Sequence, residues 1–354
     1  MITGDVRRAI ARAVAAEGLP PADPGLRPTG VPGQYASSVA FAFGEQRTKA
    51  AGIAARLAQA EGIARAEITG PGFITITIAP EELAALPERI AAAGPACAAS
   101  DALNGVTVPA PPAGDPLAEV SWEKARAALA AQLTASLAAA AGATVALPQD
   151  MERTVAPPDS KPLAVVGEAT DRYSSVSAQP PKNPQPAETE VTRAVAFAGA
   201  DAVRFALARA VPGRPAAIDP VIIARHVLAN PAYAVRYAHA RAASGVRWAA
   251  TSPAAPLGGR AVPRHPPADP GELVLLDALS WLPERVATAA RRDRPDEFAR
   301  YLEELASAAI AALIGAGNPG SAPGRSDRLA MAKAARTGLA AGLGLLGVGA
   351  PDRL

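Results

Sequence analysis

The chain has 354 residues, 49% of them hydrophobic, which is enough for more than one packed core and excludes a disordered or fibrous protein. Aromatic residues make up only 4%, Ala dominates the apolar fraction, and 36 prolines cluster between Ala-rich blocks, so Ala-rich helices joined by Pro-rich connections are expected. The net charge of +2 divides unevenly: residues 1–100 carry nine basic and nine acidic side chains, residues 101–190 six and eleven, and residues 191–354 twenty and thirteen.

The cations of that last part are all Arg except Lys333. Arg suits bidentate phosphate contacts and stacking on bases, although a GC-rich coding composition raises Arg and Ala alike. A single cysteine, Cys97, excludes an internal disulfide framework and a multi-cysteine zinc site, which fits a reducing cytosol and a cytoplasmic protein. The first 19 residues lack the apolar stretch of a signal peptide. Nowhere do about 18 uncharged apolar residues run together. Leu129 to Leu147 comes nearest, but Ala, Gln and Thr keep it weakly hydrophobic, so no membrane partner is expected.

In chain order, residues 3–18 place Val6, Ile10, Val14 and Ala15 on one helical stripe, and Pro20-Pro21 turns the chain into a loop. Gln34 to Phe43 reads as helical, as does Lys49 to Gln59, where Ile53 and Leu57 lie one turn apart. Ala64 to Ile68 leads through Thr69-Gly70-Pro71-Gly72 into Phe73-Ile74-Thr75-Ile76-Thr77-Ile78, whose alternation predicts a strand buried on one face. Residues 1–94 are thus expected to form a small α+β domain. Pro109-Ala110-Pro111-Pro112, Pro157-Pro158 and Pro180-Pro181 punctuate residues 95–190, expected as a Pro-rich linker with one helix, Ser121 to Ala141, and a strand-like run, Leu163 to Gly167.

From residue 191 helical periodicity returns, predicting helices over 191–210, 219–229, 231–250, 271–291, 295–315 and 325–346. Residues 191–354 are therefore expected as an all-α bundle, with the Pro- and Gly-rich residues 251–270 as its longest exposed connection. The fold class is mainly α: a small α+β N-terminal domain, a Pro-rich middle segment and a helical bundle.

Common catalytic patterns find no support. Gly342-Leu343-Gly344-Leu345-Leu346-Gly347 has dinucleotide-loop spacing but closes a helix with seven residues left, so its glycines read as close packing and a helix stop. There is no Walker lysine loop and no Gly-x-Ser-x-Gly elbow, and Cys97 has no adjacent histidine. Neither a metal nor a cofactor is expected.

Two separated regions resemble arginyl-tRNA synthetases. Tyr35-Ala36-Ser37-Ser38-Val39-Ala40, followed by Glu67-Ile68-Thr69-Gly70-Pro71-Gly72-Phe73-Ile74, is similar to the family's N-terminal additional domain, which contacts the outer corner of tRNA. Gly199 to Leu207, Asn230 to Arg241, Arg328-Leu329-Ala330 and Ala335-Arg336-Thr337-Gly338-Leu339 resemble its DALR anticodon-binding domain. An active enzyme of this class also needs a His-x-Gly-His pair for ATP phosphates and a Lys-Met-Ser-Lys-Ser-like loop for the adenylate transition state. Neither occurs here: the histidines are His226, His239 and His265, and no lysine has a Met-Ser context. The resemblance therefore implies a synthetase-like paralogue without aminoacylation, similar to short actinobacterial proteins with this domain, whose partner is tRNA, arginine-specific tRNA first. Two alternatives stand beside it: a regulatory or protein-interaction subunit that no longer binds RNA, and the accessory half of a split arginine-tRNA ligase.

Carried onto this sequence, the resemblance assigns the anticodon side to Tyr233, Tyr237, His239, Arg241, Arg336, Thr337 and the final Leu354, and N-terminal RNA contacts to Gln34, Tyr35, Ser37 and Ser38. Tyr rings stack on unpaired bases while Arg pairs with phosphate. The competing reading packs Tyr233 and Tyr237, four residues apart, into a core with Trp248 and Trp281, and uses the serines to cap a helix rather than to hold a phosphate.

Overall fold

The protein is described by a computed structural model covering residues 2–146, 189–216, 218–251, 269–315 and 325–354. The expected strand at Leu163 to Gly167 and most of the connection at 251–270 lie outside the described residues. The chain is mainly α, with a four-stranded sheet near the N-terminus.

Helix α1 (Ile2–Ala16) buries Ile2, Val6, Ile10 and Val14, one residue per turn, as its apolar stripe requires. Strands β1 (Arg27–Pro28), β2 (Gln34–Ser37), β3 (Ile63–Thr69) and β4 (Phe73–Ile78) form an antiparallel sheet in the order β1-β2-β4-β3. In β4 the alternation works as read: Ile74, Ile76 and Ile78 are buried while Phe73, Thr75 and Thr77 are half-exposed. Helix α2 (Gln46–Leu57) packs on the buried side with Ile53 and Leu57, and α3 (Pro80–Ala93), which follows β4, buries Leu83, Leu86 and Ile90.

The helix expected from Gln34 to Phe43 is corrected. Gln34–Ser37 is a strand with Tyr35 opposite Ile76 and Ser37 opposite Ile74, and only Val39–Ala42 winds, as a short 3-10 turn. The reason is pairing: Tyr35 and Ser37 alternate inward, and β4 supplies the backbone partners that a lone helical stretch would not need.

The described part of the middle segment is packed. Strands β5 (Thr107–Pro109) and β6 (Thr144–Ala146) pair in parallel, and α4 (Trp122–Ala140), capped by Ser121, crosses between them with Leu129, Leu133 and Leu137 buried. This is a β-α-β unit, the crossover that a parallel pair demands.

The helical part comprises α5 (Glu190–Ala198), α6 (Ala200–Arg209), α7 (Pro220–Ile223), α8 (Pro231–Thr251), α9 (Pro270–Arg291), α10 (Pro295–Gly315) and α11 (Arg325–Leu345). Two expected helices are corrected. The stretch 191–210 is broken at Gly199, whose φ of +86° suits glycine and ends α5, and 219–229 yields only one helical turn, α7. Helix α11 packs against α8, α9 and α10. A Cβ at Gly342 would meet Leu302 Cδ2 at 2.4 Å. Gly347, with φ +65°, closes the helix while the Val348 amide donates to the Leu343 carbonyl at 2.9 Å.

The N-terminal sheet and α1 dock onto α9 through buried polar contacts. Thr3 Oγ1 donates to the Ser280 carbonyl at 2.8 Å, the Tyr35 hydroxyl shares a 2.7 Å hydrogen bond with Ser280 Oγ, and the Gly33 amide donates to Asp277 at 3.1 Å. Glu284 accepts from Arg7 at 2.9 Å and from Arg291 at 2.6 Å, and Asp23 bridges the same two guanidinium groups from outside.

Candidate nucleic-acid interface

Helix α8 opens with Pro231 at a first turn where its missing amide costs nothing. Just before it, the buried Asn230 amide donates to the Ile223 and Arg225 carbonyls at 2.7 and 2.8 Å, pinning the turn that follows α7. Along the helix Tyr233 and Tyr237 lie one turn apart and stack with ring centroids 5.9 Å apart at 22°. They pack neither on Trp248, which is exposed, nor on Trp281, which packs at 5.1 Å against Tyr35. His226, on the pinned turn, stacks on Tyr233 at 5.3 Å and 13°. Arg241, one turn beyond Tyr237, is exposed with no ion-pair partner among the described residues.

His239 follows Tyr237 by two residues and so leaves the helix about 200° round from it. It is 2% exposed, and its Nδ1 lies 2.9 Å from the Pro351 carbonyl. Burial holds its imidazole below the ordinary value, while the Pro351 carbonyl and Asp352 pull upward and Arg336 adds to the lowering. Arg336 on α11 grips Asp352 with two hydrogen bonds of 3.1 Å, and Arg247 on α8 donates to the Asp352 carbonyl at 2.9 Å. The final residues are thereby strapped across both helices.

Beneath that strap runs a groove of about 830 Å³, lined by Ala98, His239, Arg336, Thr337, Gly344 and Asp352 among others. Gly344 is its open floor, since a Cβ there would meet nothing within 4 Å. The groove offers an apolar bed edged by the Arg336–Asp352 ion pair, a largely covered imidazole and the Thr337 hydroxyl, a setting that accepts a flat polar ring and in which an anion would take Asp352's place on Arg336.

Of the anticodon-side residues read in the sequence, the structure brings His239, Arg336 and Thr337 to one groove. It sets Tyr233 and Tyr237 on another face of the same helix, and leaves Leu354 56% exposed just past the strap. The N-terminal set lies elsewhere. Tyr35 and Ser37 are fully buried, Ser37 Oγ donating to the Pro24 carbonyl at 2.6 Å, while Gln34 and Ser38 are half-buried. Tyr35 and Ser37 begin no helix and offer no surface to a phosphate in this structure. Sequence reasoning missed His226, Arg247 and Asp352. Only the nearness of His226 to Asn230-Pro231 hinted at the first, and nothing local signalled the other two.

Cys97 is buried, and burial pushes its thiol up to about 11, which leaves it unreactive. Among the described residues, no group of three or more His, Cys, Asp or Glu is placed to hold a metal, and no helix is long and apolar enough to cross a membrane.

Residues 235–354 match the DALR anticodon binding domain. The chain is 34% identical over 164 residues to the arginine–tRNA ligase of Frankia alni, covering 44% of this chain and 29% of that protein. It is 39% identical over 79 residues to the arginine–tRNA ligase of Bifidobacterium longum, covering 21% and 13%. Among solved structures it is similar to Thermus thermophilus arginyl-tRNA synthetase, with a TM-score of 0.65 and 16% identity over 100% of both chains, a likeness of fold. The match to the curated ligases thus spans less than a third of their length. The C-terminal resemblance read from Asn230 to Arg241 and around Arg336 is borne out.

Proposed function

We propose that this chain binds tRNA through the face where α8 and α11 meet and does not aminoacylate it. The observation that carries the reading is that His239, Arg336 and Thr337, all within the matched anticodon-binding domain, line one groove, whose opposite wall comes from Pro95, Ala98, Ala99 and Ala140. Arginine-specific tRNA is the first candidate because the curated relatives are arginine–tRNA ligases. The absence of His-x-Gly-His and Lys-Met-Ser-Lys-Ser-like patterns from the sequence supports a binding role without adenylate chemistry. In this reading the chain divides near residues 94 and 190 and acts in the cytosol.

The test is binding to total tRNA and to an arginine-tRNA transcript across about 50 to 300 mM salt, with an Arg241→Ala/Arg336→Ala double variant beside the wild type. Expected is binding that weakens with salt, and a log–log salt slope lower by about 2 in the variant, one phosphate contact per cation. No binding at the lowest salt overturns the RNA half of the proposal. Arginine-dependent ATP–pyrophosphate exchange by the purified chain overturns the other half. A protein-binding subunit is a second reading, favoured by one feature: Phe197 and Val221, 63% and 55% exposed, flank Trp122 around a hollow of about 400 Å³.

A further inference from the structure

We infer that His226 is the outer ring of a three-ring platform on which an unpaired base of the bound RNA stacks, so that the chain selects RNA containing a single-stranded run over a duplex. The inference rests on the RNA-binding reading and adds to it one residue, His226, that the resemblance does not supply. Three rings, His226, Tyr233 and Tyr237, follow one another at 5.3 and 5.9 Å with planes within 13° and 22° of each neighbour.

The two tyrosines are half-buried and held by α8, whereas His226 is exposed and lies on a turn between helices. Such a ring would ordinarily wander. Here it is held, because the buried Asn230 amide donates to the Ile223 and Arg225 carbonyls just before it and its ring stacks on Tyr233. The platform is therefore ordered before any ligand arrives, which lowers the ordering cost of binding. Val227 and Leu228 beside it are 48% and 54% exposed, leaving apolar surface that a base face would cover.

The charges fit the same ligand. Arg225 adjoins His226 and Arg241 stands one turn past Tyr237, both exposed and neither with an ion-pair partner among the described residues, so a cation brackets each end of the rings. An aromatic row flanked by cations is how proteins hold unpaired nucleotides, stacking the bases while the backbone tracks the charge. Bases inside a duplex already have both faces covered, so a ring platform discriminates against them.

The experiment compares wild type, His226→Ala, His226→Phe and Arg241→Ala on two probes: a hairpin RNA with a loop of unpaired adenines, one replaced by fluorescent aminopurine, and a blunt duplex of equal charge. Expected for His226→Ala is about five- to tenfold weaker hairpin binding, the low end of what one stacked base contributes. It should also lose the aminopurine quenching and leave duplex binding unchanged. His226→Phe should restore both hairpin readouts, and Arg241→Ala should weaken hairpin and duplex alike through phosphate. Hairpin affinity and quenching that are unchanged in His226→Ala would overturn the inference while leaving RNA binding intact. A wild type that binds neither probe removes the RNA reading and this inference with it.

Discussion

Replacing Glu284 by Ala tests what holds the N-terminal sheet to the helical part. The Glu284 side chain is 7% exposed and takes Arg7 Nε and Nη2 and Arg291 Nη2 at 3.2, 2.9 and 2.6 Å. Removing one partner of a buried pair costs about 3–5 kcal/mol, because the charges left behind lose their compensation. Two features reduce that here. Arg7 and Arg291 remain 15% and 28% exposed, and Asp23 still contacts them at 3.4 and 3.1 Å, although at 59% exposure it is well screened.

The expected loss is therefore about 2–3 kcal/mol, or a melting point lower by about 3–4 °C for a chain of this length. Urea unfolding followed by tryptophan fluorescence reads it directly, since Trp281 lies one turn from Glu284 and packs on Tyr35. A shifted midpoint with an unchanged slope is the expected form. A loss below about 1 kcal/mol would refute the reasoning, showing that Arg7 and Arg291 are fully compensated by Asp23 and water once Glu284 is gone. The triple change Arg7→Met, Glu284→Leu, Arg291→Met should then recover most of the stability lost by the single one.

Because His239 is held below its ordinary value in the fold, unfolding takes up a proton near the usual imidazole value of about 6.5. Its contribution is therefore complete above that pH and is lost as pH falls through it toward the folded value. Urea midpoints measured on either side of that pH should differ more in wild type than in His239→Gln, and equal differences would exclude His239 as the cause. Gly342→Ala drives a methyl group to 2.4 Å from Leu302 Cδ2, a side chain with 0% exposure, so about 1–3 kcal/mol of overpacking is expected in the same assay. Unaltered stability would mean that α10 and α11 separate freely.

What could be read from the sequence was whatever depends on neighbours a few residues apart. The Ile-Thr alternation of β4, the stripe of α1 and the long helices α8 to α11 all carry their period in the chain itself. Gln34 to Phe43 misled because Ala, Ser and Gln fit either element, and the deciding partner, β4, lies some 40 residues on. The stretch 219–229 misled differently: Val221, Ile222, Val227 and Leu228 imitate an apolar stripe yet are all about half exposed or more. At the candidate interface the family resemblance put His239, Arg336 and Thr337 on one side with Tyr233 and Tyr237, which the structure sets on another face of α8. The Arg336–Asp352 strap and the burial of Tyr35 against Trp281 arise from contacts between distant segments, which no local pattern encodes.

The seam between the N-terminal sheet and α9 also imposes a timetable on biosynthesis. Thr3, Arg7, Gly33 and Tyr35 meet partners 244 to 277 positions further along the chain. At a synthesis rate of roughly 5–20 residues per second, α9 is completed about 10 to 40 seconds after α3. Throughout that interval α2 already packs on the sheet, while the part of the sheet's inward face around Tyr35, which awaits Ser280 and Trp281, stands bare on the ribosome. Anything that slows elongation between α3 and α9 lengthens the time during which that face can meet another nascent chain or a chaperone.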